Sequence, residues 1–388
     1  MKKNIGINTI CAHVGAVEDE QFRGAVSPLY MSSSYAFQDI DEKRYPRYFN
    51  TPNQQALSKK IAALEHTEAG MIFGSGMAAI SHCLMAFLQA GDHVIFQQTL
   101  YGGTYNFATS QLEKYGISYS FTKGWQVEDF EKELRPNTKI IYIETPSNPL
   151  LTITDMSAVA SLAKNKGVIT MIDNTFASPI NQNPADFEID IMIHSATKYM
   201  GGHSDICAGA VAASKQHIEQ LWSSSICFGG SLSDQTTWML ERSLKTMGLR
   251  VKAQTENALK LARKLDAEGD ISRVFYPGLE SHPDHELAKS QMNGFGAMLS
   301  FELDEALDAE LFMKSLKLIK ASMSLAGVES TVTSPVLTSH SLMSPEDRQK
   351  QGIRDGLIRF SVGIEEDEDL MYDIQQALEV VKSKTALV

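Results

Sequence analysis

Residues 168–198 read VITMIDNTFASPINQNPADFEIDIMIHSATK. Two short apolar runs stand in it, Val168-Ile169-Thr170-Met171-Ile172 and Ile189-Asp190-Ile191-Met192-Ile193. Each leads directly into reactive side chains: Asp173 after the first, Ser195-Ala196-Thr197-Lys198 after the second. Nearly continuous apolar runs of this length predict strands of a parallel sheet covered on both faces. In an open α/β sheet, ligands bind outside the carboxyl ends of the strands. Asp173 and Lys198 are therefore expected to share one crevice.

The pattern extends outward from this stretch. His93-Val94-Ile95-Phe96 and Lys139-Ile140-Ile141-Tyr142-Ile143 read as further strands, and Met71-Ile72-Phe73 as a short apolar run. Helical periodicity appears through Val159, Leu162 and Ala163, and from Met77 through Ile80, Leu84 and Leu88, with Gly91 as the expected stop. This alternation predicts an α/β domain with a large, mostly parallel sheet over 55–245. A long helical segment follows residue 245, and then the strands Ala297–Phe301 and Leu357–Val362, so a smaller α+β domain is expected over 246–388. The first 54 residues carry Ser32-Ser33-Ser34, several aromatics and no long periodic face, and are expected to form an extended arm lying on another surface, such as a neighbouring subunit. Thr331–Ser344, rich in Ser, Thr and Pro, reads as a loop over a cleft.

Composition narrows the class. The chain has 388 residues, 43% of them hydrophobic and 21% charged, which suits a globular protein with a large and a small domain. The net charge of −12 argues against a nucleic-acid partner. No apolar run reaches the roughly 18 residues of a membrane span, and no apolar stretch follows Lys2 and Lys3, so no signal peptide is expected and the cytoplasm is the expected compartment. The four cysteines, Cys11, Cys83, Cys207 and Cys227, form no CxxC pair and suggest neither a disulfide framework nor a zinc site.

Asp173 alone reads as a strand-end cap and Lys198 alone as a solvated lysine. Together at adjacent strand ends they match pyridoxal 5′-phosphate (PLP). That cofactor needs a lysine to form a Schiff base with its aldehyde and a carboxylate to pair with its pyridinium nitrogen. Gly74-Ser75-Gly76-Met77 follows an apolar run and opens a helix, so the N–H groups at Gly76 and Met77 could hold a phosphate. Ser195 and Thr197 flank the lysine and could add hydroxyl donors. Tyr101, in Tyr101-Gly102-Gly103-Thr104 beyond the strand ending at Phe96, could stack on a cofactor ring.

Ser195-Ala196-Thr197-Lys198-Tyr199-Met200-Gly201-Gly202-His203-Ser204-Asp205 resembles the signature of the trans-sulfuration (Cys/Met metabolism) PLP enzymes: cystathionine γ-synthase, the cystathionine β- and γ-lyases and methionine γ-lyase. Tyr45-Pro46-Arg47, Ser75-Gly76-Met77, Tyr101-Gly102-Gly103-Thr104, Glu144-Thr145-Pro146-Ser147-Asn148-Pro149, Asp173-Asn174-Thr175-Phe176, Tyr276-Pro277-Gly278-Leu279 and Arg359-Phe360-Ser361-Val362-Gly363 extend the resemblance, in order, over nearly the whole chain. It implies PLP-dependent transferase fold type I, as in aspartate aminotransferase. It implies that Asn148 contacts the cofactor's phenolic oxygen, and that Tyr45 and Arg47 reach the phosphate of the neighbouring subunit's cofactor. Arg359 would clamp the substrate α-carboxylate, and the backbone near Ser324 would line the substrate side. Lys198 would be the general base, with Tyr101 protonating the leaving sulfur. The implied assembly is a homodimer with shared sites, paired into a tetramer.

The motifs leave elimination and replacement open, so a cystathionine lyase is the expected activity and cystathionine γ-synthase the alternative, then methionine γ-lyase. An aminotransferase of this fold and a non-catalytic PLP-binding regulatory protein are other readings, the last opposed by the intact Lys198, Asp173, Tyr101 and Arg359 set. Three departures stand out: Asn50-Thr51-Pro52 where the family reads Asn-Pro-Thr, Arg44 where some lyases carry an acidic residue, and Thr333-Ser334-Pro335-Val336-Leu337-Thr338 without the usual His-Pro start. His282-Pro283-Asp284-His285 could suggest a metal, but adjoins no further ligand cluster, and no metal is expected.

Overall fold

The apolar runs between residues 93 and 194 become the middle of a seven-stranded sheet in a computed structural model, which describes residues 5–338, 346, 348 and 352–385. In chain order the elements begin with α1 (Ile7–His13), α2 (Pro52–Leu64), β1 (Ala69–Phe73), α3 (Gly76–Phe87), β2 (His93–Phe96), α4 (Gly102–Gln111), β3 (Ser118–Phe121), α5 (Val127–Glu133) and β4 (Thr138–Glu144). There follow α6 (Met156–Lys166), β5 (Ile169–Asp173), α7 (Ser178–Asn181), β6 (Ile191–His194), β7 (Gly209–Ala213), α8 (Lys215–Phe228), α9 (Asp234–Leu244) and α10 (Met247–Asp266). The remainder comprises β8 (Ile271–Phe275), α11 (His285–Gln291), β9 (Met298–Leu303), α12 (Ala309–Ser315), β10 (Lys320–Ala321), β11 (Thr331–Thr333), β12 (Leu357–Ser361) and α13 (Asp367–Thr385).

The large sheet runs β1-β7-β6-β5-β4-β2-β3, parallel from β6 to β3, with β7 antiparallel to both of its neighbours. A second sheet, β10-β11-β12-β9-β8, is antiparallel except for β10–β11. This is the expected α/β class with a smaller second sheet. Alternate residues of the central strands bury opposite faces. Ile141, Ile143, Ile172 and Met192 join a core continuous with Leu299, Phe301, Ile358 and Phe360 of the second sheet. Tyr142, Met171, Ile191 and Ile193 pack on the other side, against Ile80 and Leu84 of α3. Every strand here lacks an exposed face, which is why the sequence shows runs rather than alternation.

Local chemistry sets the ends. Thr51 and Gln54 form a reciprocal capping box at the start of α2, and Ser75, Asp155, Ser214 and Ser233 cap α3, α6, α8 and α9 through their side-chain oxygens. The turn after Lys198 closes on Gly202, where φ is +69° and a Cβ would lie within 1.9 Å of Arg250 Nη1. Arg250, buried in α10, donates to the carbonyls of Tyr199 and Ser243, each at 3.0 Å.

Four expectations are corrected. The arm contains a helix, α1, whose Ile10 and Cys11 are buried, while Lys60 Nζ donates to Cys11 O at 2.7 Å. Only the stretch from 14 to 45 is irregular. Helix α3 ends at Phe87 rather than near Gly91; Gly91 takes φ +92° in the turn into β2, its N–H donating to Gly116 O. Thr331–Thr333 is a strand, not loop; residues 339–344 of that stretch lie outside the described residues. Strand β7, five small buried residues, went unread because Gly-Ala-Val-Ala-Ala carries no strand-like alternation. Among the described residues no helix is long and apolar enough to cross a membrane.

Candidate active site

The carboxyl ends of β4, β5 and β6 open into a cavity of about 800 Å³, roofed by the segment around Ser324 and by β12. Asp173 ends β5 and Glu144 ends β4, directly paired in register. Asp173 Oδ1 accepts from Thr175 N at 3.0 Å. Burial pushes its carboxyl pKa up; the Thr175 hydrogen bonds and then the charges of His194 and Lys198 pull the other way. Glu144 is raised well above the carboxylate range, first by burial and then by Asp173.

Lys198 follows β6 in a tight turn whose Lys198 N donates to Ser195 O at 3.0 Å. Its Nζ crosses the cavity to Ser324 Oγ at 2.7 Å. Burial, then the Arg359 guanidinium, depress this ammonium to about 8. Arg359, buried on β12, donates to Asn148 Oδ1 at 3.1 Å and to Ser324 O at 3.3 Å, which fixes its planar fork. Burial lowers it to about 10. Ser324 sits at φ +77° and Ala326 at +65°, left-handed backbone that non-glycine residues adopt at a cost.

At the far end, the first turn of α3 meets Ser195 through Ser75, Gly76 and Met77. A Cβ on Gly76 would stand 2.8 Å from Ser195 Cβ, so only glycine keeps this end open. Helix N–H groups, the positive helix end and the Ser195 hydroxyl make an anion cradle. Thr197 lines the same wall, but its hydroxyl donates to Ala208 O at 3.2 Å and accepts from Ala208 N at 3.0 Å, so donation to an anion requires the O–H to rotate. Tyr101 lies over the cavity, its backbone N–H donating to Glu144 Oε2 at 2.7 Å. Burial, then Asp173 and Glu144, raise its phenol pKa, so it stays protonated.

Ten of the expected site residues thus meet in one cavity: Gly76, Met77, Tyr101, Asn148, Asp173, Ser195, Thr197, Lys198, Ser324 and Arg359. Tyr45 and Arg47 do not. Tyr45 is 44% exposed on the arm, and Arg47 donates to Ile226 O with its guanidinium over the Tyr45 and Tyr48 rings. Arg44 is held by Asn50 O, Gln55 Oε1 and Glu42. The sequence reading assigned no role to Glu144, although it ends a strand as Asp173 does. It also missed Cys207 and the α4 face carrying Tyr105, Asn106 and Thr109, which line the cavity. His282, Asp284 and His285 are engaged structurally: Asp284 N donates to His282 Nδ1, Asp284 Oδ2 accepts from Ile153 N, and His285 contacts Pro277 O.

The donor set fits PLP: an amine, a buried carboxylate near it, an anion cradle that a side chain on Gly76 would fill, and a guanidinium for a second carboxylate. Comparison with known proteins agrees. The model of the Cys/Met metabolism PLP-dependent enzymes matches residues 8–379. The chain is 45% identical to a cystathionine γ-lyase of Bacillus subtilis strain 168, covering 96% of this chain and 98% of that one. It is 40% identical to a cystathionine β-lyase of Lactococcus lactis subsp. cremoris strain MG1363, covering 94% and 97%. The crystal structure of a cystathionine γ-lyase from Lactobacillus plantarum, complexed with L-serine, superimposes with a TM-score of 0.94 at 37% identity, over 97% of this chain and all (100%) of that one.

Proposed function

Because this chain belongs to the Cys/Met metabolism family of PLP-dependent enzymes, we propose that it is a cystathionine lyase, cleaving a carbon–sulfur bond of a cystathionine-type amino acid by α,β- or α,γ-elimination. One arrangement carries the reading: Ser324 holds the Lys198 amine and the Arg359 guanidinium on the same side of a cavity floored by Asp173. When bound, PLP supplies an electron sink for the charge left at the substrate α-carbon.

The chain's own residues have distinct tasks. Asp173 pairs with the ring nitrogen, Gly76, Met77, Ser195 and Thr197 hold the phosphate, and Asn148 reaches the phenolic oxygen. Arg359 orients the substrate through its α-carboxylate, a bidentate task suited to a guanidinium already held in plane. Lys198, its pKa depressed to about 8, takes the α-proton as a neutral amine. Tyr101 keeps its proton and can give it to the departing sulfur. A γ-leaving group needs a further proton removed from the β-carbon, and Lys198 again stands nearest. In β-elimination, cystathionine and water give homocysteine, pyruvate and ammonia; in γ-elimination they give cysteine, 2-oxobutyrate and ammonia.

The same proposal covers assembly and setting. Tyr45 and Arg47, exposed on the arm, would complete a neighbouring subunit's phosphate site, in a dimer that pairs into a tetramer. We divide the chain into an arm (1–54), a cofactor domain (55–245) and a C-terminal domain (246–388), a division supported by the two sheets. The free thiols of Cys11, Cys83, Cys207 and Cys227 support a reducing, cytoplasmic setting.

The test is a product assay on PLP-loaded protein with L-cystathionine alone. Pyruvate with homocysteine identifies β-elimination, and 2-oxobutyrate with cysteine identifies γ-elimination. No product, followed by cystathionine formation from an O-acylhomoserine and cysteine, would make the chain a cystathionine γ-synthase.

A further inference from the structure

A second polar cluster lies behind Asp173, outside the cavity. His194 ends β6 and Glu65 stands at the C-terminal cap of α2; their side chains are 2% and 0% exposed, and His194 Nε2 meets Glu65 Oε1. Glu65 Oε1 also accepts from Asn174 Nδ2 at 2.9 Å. Asn174 follows Asp173 directly. Its amide exchanges hydrogen bonds with Gln182, Nδ2 to Gln182 O and Gln182 Nε2 to Asn174 Oδ1, each at 3.0 Å, and its N–H donates to Ile193 O at 2.9 Å. Glu65 Oε2 is buried with no hydrogen-bond partner among the described residues. Burying a carboxylate this deeply costs folding energy that a well-packed apolar pair would not. Stability therefore gives a weak account of the cluster, and its contact with the Asp173–Asn174 turn suggests a better one.

Resting on the PLP reading above, we propose that Glu65 and His194 are positioning residues for Asp173: Glu65 fixes the imidazole and its proton, and the resulting positive charge keeps the Asp173 carboxylate ionised against the cofactor's ring nitrogen. Neither residue touches the cofactor; both act through Asp173. The charged groups facing Asp173 are His194, Lys198 and Glu144, and those facing His194 are Glu65 and Asp173. Of the two cations, His194 opposes the burial of Asp173 more than Lys198 does. Lys198 also loses its ammonium charge whenever its nitrogen is bonded to the cofactor aldehyde or acts as a base. His194 is the cation that stays.

The experiment compares wild type, His194→Gln, Glu65→Gln, Asp173→Asn and the doubles His194→Gln/Asp173→Asn and Glu65→Gln/Asp173→Asn, all loaded with PLP. It reads the pH at which the cofactor's visible absorbance changes and the affinity for PLP. With Asp173 less ionised, the ring nitrogen withdraws less charge and the lysine-derived nitrogen keeps its proton to higher pH. The midpoint should rise by about one unit in His194→Gln and Glu65→Gln, with PLP held about tenfold more weakly. Neither substitution should move it further in the Asp173→Asn background. An unmoved midpoint in both single variants, or the same shift with and without Asp173, overturns the proposal. Should His194→Gln fail to fold, Glu65→Gln and its double decide, because Gln keeps the acceptor and the shape while removing the charge. A wild type with no visible band that Lys198→Ala abolishes would instead overturn the PLP reading itself.

Discussion

The floor and the roof of the cavity are built by different physics. The floor is the end of a parallel ladder: Glu144 opposite Asp173, Asp173 opposite Ile193, with Lys198 five residues further on. Its side chains are placed by buried strands whose register cannot slip without turning the apolar set outward. The roof is a chain segment in left-handed conformation at Ser324 and Ala326, beside a Met323 that is 75% exposed, with only Arg359 supplied by a strand. The floor fixes which bonds can be broken, and the roof fixes which amino acid is presented. A rigid ladder suits the first task, while a segment tied by a few side-chain hydrogen bonds can vary without disturbing the sheet.

This contrast predicts a ranking. Replacing Lys198 with Ala removes the base and the covalent anchor together. Turnover of L-cystathionine should fall by at least about 10³-fold and the visible absorbance of bound PLP should vanish, with secondary structure by circular dichroism unchanged. Turnover near the wild-type rate would break the assignment of the floor.

Substitutions in the roof should act on binding and on proton position. Arg359→Lys keeps the charge but loses the planar fork, so KM should rise by about tenfold with a much smaller change in kcat. Equal losses in kcat and kcat/KM would move Arg359 from the roof's task to the floor's. Arg359→Gln removes a positive neighbour of Lys198. The sign follows directly: Arg359 disfavours the ammonium, so its loss raises the Lys198 pKa. In cofactor-free protein, amine labelling of Lys198, read by peptide mass spectrometry, should rise through about pH 8 in the wild type. The rise should come at higher pH in Arg359→Gln.

The same division explains what was legible in the sequence. The floor was, because Asp173 and Lys198 each end an apolar run and the strand-end rule brings them together. Glu144 obeys the same rule at the end of β4 and could have been found by it. The roof was not. Arg359 reaches Asn148 across 211 positions and Lys198 reaches Ser324 across 126, distances that no local spacing encodes. Those residues were reached only through resemblance to a known family. In the fold, the misses share one cause, a weak local signal. Strand β7 is built of Gly, Ala and Val, α1 is seven residues long, and β11 lies in a Ser/Thr-rich stretch. Each is specified by its neighbours rather than by its own periodicity.

The finest division lies within Ser324, whose hydroxyl serves the floor and whose backbone serves the roof. Ser324→Ala and Ser324→Gly both remove the hydrogen bond to Lys198 Nζ, but only glycine adopts φ +77° without strain. Both should lower kcat/KM by the same few-fold factor, the size expected for one hydrogen bond to a charged group partly replaced by water. In thermal unfolding the Gly variant should be the more stable of the two by about 1 kcal/mol. Equal stabilities would mean that the left-handed turn is held without strain. A kcat/KM that differs between the variants would mean that the backbone at this position, and not the hydroxyl alone, sets where the Lys198 amine stands.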